Sequence, residues 1–398
     1  MEALMGSTAH LTIINKTKYV MKRFQCHSYQ MNSWEFPERV EAGQKARFKV
    51  EWCENIFKTK SDDAGSAYYE LEGHSSQRIE FAMRNAKQYN FTLKQIGFPG
   101  IDPDAKRINW IDDGEIILEI LDEGVNPRQW MKQIDDDTPI NKLSIPGTHD
   151  SLTYDLSTIG SLLKRFTQTQ EVNIVTQLNY GFRYLDIRID KNLQGCHGSF
   201  GCKNTLWEVM AWVKDFLATN KDETIVMRIK YDGGENNTDY QNNIKRLFND
   251  YCGILWKNNL SSGFPLLKDV RGKVVVLDSL DGNYIKKKGY GYIFNEDGKF
   301  DTQDDFSGPD QDKKQQKIRD YIDLPYNTQK MKINHVSATG KTAGFFGWSP
   351  RDYAEYENPR TIKYLVEKNS KVITGLLIFD FVDESISLVV MLENEFKK

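Results

Sequence analysis

From residue 128 onward, short β-rich runs alternate with segments of helical periodicity, and this alternation constrains the fold more than any other feature of the chain. The β-rich runs are Leu143 to Ile145, Tyr184 to Ile189, Thr224 to Lys230, Lys273 to Leu277, Lys332 to Val336 and Gly375 to Phe381. Leu206 to Phe216 and Pro359 to Lys368 carry apolar residues at helical spacing, with Asn204 or Thr205 as a fitting N-cap. About 270 residues of such alternation predict the α/β class and a (β/α) TIM-type barrel, whose functional groups gather at the carboxyl ends of the strands.

The preceding stretch has a different texture. Residues 9 to about 121 read as short strands separated by turn residues: His10 to Ile14, Tyr19 to Phe24, Phe48 to Trp52, Tyr68 to Leu71, Arg78 to Met83, Tyr89 to Leu93 and Glu115 to Ile120. That spacing predicts a small all-β sandwich. Asp-Glu-Gly-Val-Asn-Pro over 122–127 reads as a linker, so the expected domains are 1–121 and 128–398, in keeping with a chain of 398 residues.

A formal net charge of -3 argues against a nucleic-acid partner bound through a bulk positive field. No apolar run reaches the ~18 residues a membrane span requires. The first residues lack the basic and apolar regions of a secretory signal, so a cytoplasmic or non-classically secreted protein is expected. Five cysteines with no Cys-x-x-Cys pair read as reduced thiols; Cys196 and Cys202 would pair only in an oxidising compartment.

The chemistry concentrates in two histidines. His149 lies in Ile145-Pro-Gly-Thr-His-Asp-Ser151, directly after the first barrel strand, and His197 lies in Gly-Cys-His-Gly. Between them, alternation along Arg183 to Arg188 puts Asp186 and Arg188 on one face of a strand. Two imidazoles, an acid and a fixed cation suit ribonuclease-like phosphoryl transfer. One histidine takes a proton from an attacking hydroxyl, the other protonates the leaving oxygen, and the cation meets the charge on phosphate. Arg188, His197, Lys230 and Asp380 all fall at or near predicted strand ends. His10, His27, His74 and Arg183 read as structural, and His335 as a barrel-interior residue.

At these residues the chain resembles the bacterial-type phosphatidylinositol-specific phospholipase C (X-domain) family over about residues 128 to 398. The likeness rests on Ile145 to Ser151, Gln177-Leu178, Gly181 to Arg188, His197-Gly198, Asp222 to Val226, Arg271 to Leu277, Ser349-Pro350 and Leu377 to Asp380. It implies cleavage of phosphatidylinositol-type lipids by intramolecular 2-hydroxyl attack, giving diacylglycerol and a cyclic inositol phosphate. It further implies His149 as general base oriented by Asp380, and His197 as general acid with Asp150 as partner. Asp186 joins the cluster, and Arg188 contacts the phosphate. In calcium-dependent relatives an acid replaces that arginine, so no metal and no other cofactor is expected. Lys230 and Asp320 are the implied substrate-binding residues. One departure is Asp278-Ser279, where the family usually has a Lys-Arg pair whose arginine touches inositol.

The amino-terminal stretch is similar, at Leu11 to Asn15, Trp34, Pro37, Glu41 to Gly43, Phe48 and Tyr68-Tyr69, to aegerolysin-like lipid-binding β-sandwiches. A phospholipid membrane surface is therefore the expected partner. Phe166, Phe345, Phe346 and Trp348 fall where relatives place membrane-contacting residues, with ordinary loop packing as the other reading. Two rival functions remain open from sequence: a metal-dependent phosphodiesterase of the same barrel, and a non-catalytic lipid-binding or pore-forming protein.

Overall fold

A computed structural model describes residues 8–17, 19–52, 64–84, 90–98, 106–109, 115–120, 125–157, 161–232, 238–260, 262–280, 285, 288–294, 298–340, 347–368 and 370–397. The chain divides into two compact units, Met1–Asn126 and Pro127–Lys398.

In the first unit, strands β1 (Thr8–Asn15), β2 (Met21–Tyr29), β3 (Ser33–Trp34), β4 (Arg39–Val40), β5 (Lys45–Glu51), β6 (Ala64–Leu71), β7 (His74–Arg84), β8 (Asn90–Ile96), β9 (Lys106–Asn109) and β10 (Glu115–Ile120) form two sheets. One sheet has the order β10-β1-β5-β3 and the other β4-β2-β6-β7-β8-β9. β6 alternates strictly between half-buried and buried residues, which gives its sheet one apolar face. Leu11, Ile13 and Val50 from the first sheet meet Tyr69, Phe81, Met83 and Phe91 from the second in one core, with Trp34 and Phe36 between them. At Gly65 an added Cβ would lie 2.4 Å from the Trp34 ring, so only glycine lets the indole lie flat on β6. The unit is a β-sandwich.

The second unit contains β11 (Ser144–Thr148), β12 (Tyr184–Ile189), a hairpin of β13 (Gln194–His197) and β14 (Phe200–Thr205), then β15 (Ile225–Tyr231), β16 (Val274–Ser279), β17 (Tyr292–Ile293), β18 (Phe300–Gln303), β19 (Met331–His335) and β20 (Gly375–Phe379). Parallel pairing runs in the order β17-β16-β15-β12-β11-β20-β19-β18. Between the ends of that run, aromatic side chains fill the seam: Phe300 stands 6.1 Å from Tyr292 and 5.9 Å from Phe294, centroid to centroid. Around the strands lie α1 (Ser161–Thr167), α2 (Ile174–Asn179), α3 (Leu206–Thr219), α4 (Thr238–Asp250), α5 (Leu267–Val270), α6 (Gln311–Ile322), α7 (Pro350–Glu367) and α8 (Glu384–Leu392). This is the TIM-type α/β architecture expected from the alternation.

Leu185, Ile187 and Ile189 of β12, Met227 and Ile229 of β15, and Val274 and Val276 of β16 pack outward with Val209, Met210 and Val213 of α3. Strand alternation then turns Asp186, Arg188, Arg228, Lys230 and Ser279 to the barrel interior. Register stacks them in layers: Asp186 beside Arg228, and Arg188 beside Lys230, which is beside Ser279.

Several elements differ from what the sequence predicts. The predicted helix over Pro359 to Lys368 begins at Pro350, because Ser349 and Asp352 form a reciprocal capping box and Pro350 suits the first turn. Pro359 sits within that helix, where packing outweighs its missing donor. The acidic Asp301-to-Asp312 stretch supplies part of β18 and the Asp310 N-cap of α6. The hairpin β13–β14 and the two-residue strand β17 are too short to register as periodic runs in sequence.

Candidate active site

The geometry starts at the ends of β11 and β20. Gly147 is packed so closely on Tyr184 of β12 that an added Cβ would fall 2.7 Å from the ring. Two residues later His149 leaves the sheet, its backbone N–H donating to the Phe379 carbonyl at 3.0 Å. Asp150 and Phe381, which directly follow His149 and Asp380, both adopt left-handed backbone, with φ of 42° and 48°. Such conformations in non-glycine residues are strained and persist where surrounding contacts over-determine them. Those contacts are present: Gln170 Nε2 donates to the carbonyls of His149 (2.9 Å) and Phe379 (3.0 Å), and the Phe381 N–H donates to Thr169 O.

His149 Nδ1 lies 2.9 Å from Asp380 Oδ1. Arg188 Nη2 donates to His149 Nε2 at 2.7 Å, so the imidazole is neutral, with its proton on Nδ1 given to Asp380. Burial, then the nearby Arg188 charge, lowers the His149 pKa well below the usual imidazole value. Burial, reinforced by the Asp150 carboxylate, raises Asp380.

Arg188 is the hub. Its Nε lies 2.5 Å from Asp150 Oδ1, and its Nη2 3.2 Å from Asp186 Oδ2. Burial opposes the charge on Asp186, but Arg188 and Arg228 outweigh it and hold the carboxyl below its usual range. Burial raises Asp150 despite Arg188. One oxygen, Asp150 Oδ2, lies 3.6 Å from His149 Nε2 and 3.6 Å from His197 Nδ1. The two rings therefore share a single carboxylate oxygen between them. His197 sits on the hairpin, and its Nδ1–H donates to the Thr167 carbonyl at 2.9 Å, which leaves Nε2 for substrate. Its hydrogen bond thus goes to Thr167, while the expected partner Asp150 stays at ion-pair distance, 3.6 Å, and is also paired with Arg188.

His149, Asp150 and Asp186 each present one oxygen or nitrogen within 4.8 Å of the others, a set that could ligate a cation. The Arg188 guanidinium contacts those same three side chains, so a divalent ion would have to displace it.

His149, Asp150, Asp186, Arg188, His197 and Asp380 thus converge. Lys230 is at the mouth, paired with Asp232 at 3.0 Å, whose other oxygen accepts from the Gly198 N–H. Asp320 does not join them. It is exposed near the carboxyl end of α6, bonded to Gln316 at 2.7 Å. That end of the helix meets the start of β19, where Lys332 Nζ donates to the Ile322 carbonyl, so Asp320 stands at the opposite end of the barrel. Asp304, immediately after β18, is an acid at the correct end, and its charge acts on Tyr184 and His335. The Phe166 ring lies under the Arg165 guanidinium on α1, beside a half-exposed Leu163. Trp348 packs 5.3 Å from Tyr353 and 5.7 Å from Tyr356, centroid to centroid. Phe345 and Phe346 lie outside the described residues. Cys196 and Cys202 are free buried thiols.

His335, read as a barrel-interior residue, is buried and meets the His149 ring edge-on at 5.8 Å. Arg228, Gln170, Thr169 and Asp304 carried no signal in isolation. Alternation from Lys230 back to Arg228 would have identified the second of these inward cations.

A family model described as "Phosphatidylinositol-specific phospholipase C, X domain" matches residues 143–279. The "1-phosphatidylinositol phosphodiesterase" of Listeria monocytogenes is 31% identical over 290 residues, covering 69% of this chain and 88% of that protein. Its namesake from Staphylococcus aureus is 27% identical, covering 64% and 88%. The solved structure of the phosphatidylinositol-specific phospholipase C from Listeria monocytogenes superposes with a TM-score of 0.61 at 31% identity, covering 68% of this chain and all of that one.

Proposed function

Because the chain belongs to the phosphatidylinositol-specific phospholipase C X-domain family, we propose that it is a phospholipase C cleaving the phosphodiester of phosphatidylinositol-type lipids. The products are diacylglycerol and a cyclic inositol phosphate. The observation that carries this reading is the pair of imidazoles within 3.6 Å of one Asp150 oxygen, with a guanidinium ion-paired to the same carboxylate.

In this reading His149 Nε2 takes the proton of the 2-hydroxyl. The incoming phosphate engages Arg188, which frees the lone pair that Arg188 caps and offsets the charge that depresses the imidazole. Asp380 holds the imidazolium as it forms. The oxygen of the 2-hydroxyl bonds to phosphorus, the bond to the diacylglycerol oxygen breaks, and His197 Nε2–H protonates that leaving oxygen. Arg188, kept in position by Asp150 and Asp186, bears the charge on the non-bridging oxygens, the role a metal fills in other phosphodiesterases. We therefore expect catalysis without a metal. Lys230 and Asp304 line the mouth as substrate contacts. The membrane is met by the Leu163–Phe166 face of α1, by Trp348 and by the amino-terminal sandwich. Among the described residues no helix is long and apolar enough to cross a membrane.

The test is incubation with vesicles of single phospholipid classes, with and without a chelator, followed by phosphorus NMR of the released ester. A cyclic inositol phosphate from phosphatidylinositol alone, unchanged by chelator, is the expected result. Loss of turnover on chelation would overturn the metal-free reading.

A further inference from the structure

We propose that Arg228 and Ser279 form a headgroup subsite that donates hydrogen bonds to ring hydroxyls beyond the one that attacks phosphorus; this rests on the function proposed above. Arg228 projects into the barrel from β15, one layer beneath Lys230, with a side chain 13% exposed. Its Nε donates to Ser279 Oγ at 3.2 Å across the neighbouring strand. Its guanidinium carbon lies 4.0 Å from the Phe294 ring centroid, so one face of the fork is covered and its plane is held. Nη1 lies 3.7 Å from Asp186 Oδ1, an ion-pair distance too long for a hydrogen bond.

A guanidinium carries five N–H donors. Arg188 spends its own on Asp186 and His149 and pairs its charge with Asp150. Arg228 uses one on Ser279, and among the described residues Nη2 meets no protein acceptor. No Arg228 nitrogen is fully buried without a partner, so its remaining donors stay open to a ligand or water entering the site. Ser279 Oγ accepts from Arg228, which leaves its own O–H free to donate upward.

The charge balance indicates what the subsite takes. Asp186 faces both guanidinium groups and Asp150 faces Arg188, so two carboxylates offset two arginines; Lys230 is offset by Asp232. The floor therefore offers donors without surplus positive charge. That combination suits neutral hydroxyls better than a second phosphate.

The experiment uses the full chain and its R228Q, R228K and S279A variants. Each is given an inositol phosphodiester and a cis-2-hydroxycyclohexyl phosphodiester with the same leaving alcohol, which keeps the nucleophile but lacks the other hydroxyls. The parent should prefer the inositol compound in kcat/KM. R228Q should lower that preference about 10- to 100-fold, R228K and S279A each by about 3- to 10-fold. Equal losses on both substrates would mean that Arg228 serves Asp186 alone, and an unchanged preference would mean that it touches nothing; either overturns the proposal. A gain on a ring-phosphorylated substrate in the parent would overturn the neutral-hydroxyl assignment. Should R228Q not fold, R228K and S279A decide. A parent that cleaves neither compound removes the proposed function itself, a result distinct from a parent that cleaves both alike.

Discussion

At the scale of single residues, the site assigns different work to chemically similar groups through their neighbours. Two imidazoles share Asp150, yet one is buried against Arg188 and Asp380 while the other is anchored by a backbone carbonyl on the hairpin. H149A and H197A should each reduce turnover of phosphatidylinositol vesicles by about 10²- to 10⁴-fold. A variant of either that kept near-parental rates would overturn its role. R188D exchanges the hub cation for a carboxylate among three side chains already able to ligate an ion. Its activity should drop by at least about 10²- to 10³-fold, and calcium titration should recover part of it, whereas the parent should ignore both calcium and chelator. His149, Asp150, Asp186, Arg188 and Asp380 were legible in the sequence because they lie on or just after recognisable strands, and His197 because of its Gly-Cys-His-Gly motif. Arg228 beside Ser279 was not, since a contact between neighbouring strands has no imprint within either one.

At the scale of elements, one buried ion pair ties the base of the barrel together. Arg183 Nε donates to Glu223 Oε2 at 2.8 Å, both side chains fully buried. Arg183 also donates to the Leu178, Phe182 and Pro127 carbonyls, while Glu223 Oε1 accepts the Met131 N–H. The pair joins the start of β12, the turn before β15 and the segment that enters the barrel, at the end opposite the site. R183M strands a buried carboxylate and should cost about 3–5 kcal/mol in chemical denaturation. A parental midpoint for that variant would show that Glu223 finds another partner. At the other end, the segment Thr167 to Gln170 fixes both histidine loops through one carbonyl and two side chains. Its sequence is polar and aperiodic, so its positioning role emerges only once α1 delivers it to the mouth.

At the scale of the whole molecule, stability should depend on pH through groups buried without charge. Burial lowers the His335 pKa to about 4, against an ordinary 6.5. Below the ordinary value the unfolded chain binds the extra proton, so the contribution is intact above about pH 6.5 and is lost as pH falls toward 4, a range worth roughly 3 kcal/mol. Burial pushes Glu357 up to about 8, which gives the opposite slope. The quantity to measure is therefore the difference between the parent and H335F in urea unfolding across pH 4 to 7. Parallel curves would show that His335 takes up its proton in the folded state near the ordinary value. Strand–helix alternation and turn residues determined the class of each unit, and the histidine motifs with the family resemblance picked out the six converging residues, because periodicity and motif are properties of consecutive positions. Only the tertiary structure decided that Asp304 rather than Asp320 faces the mouth, that Thr167 holds His197, and that Arg228 reaches Ser279. These depend on strand register and on which end of the barrel a helix terminus meets, and both are set by packing between distant segments.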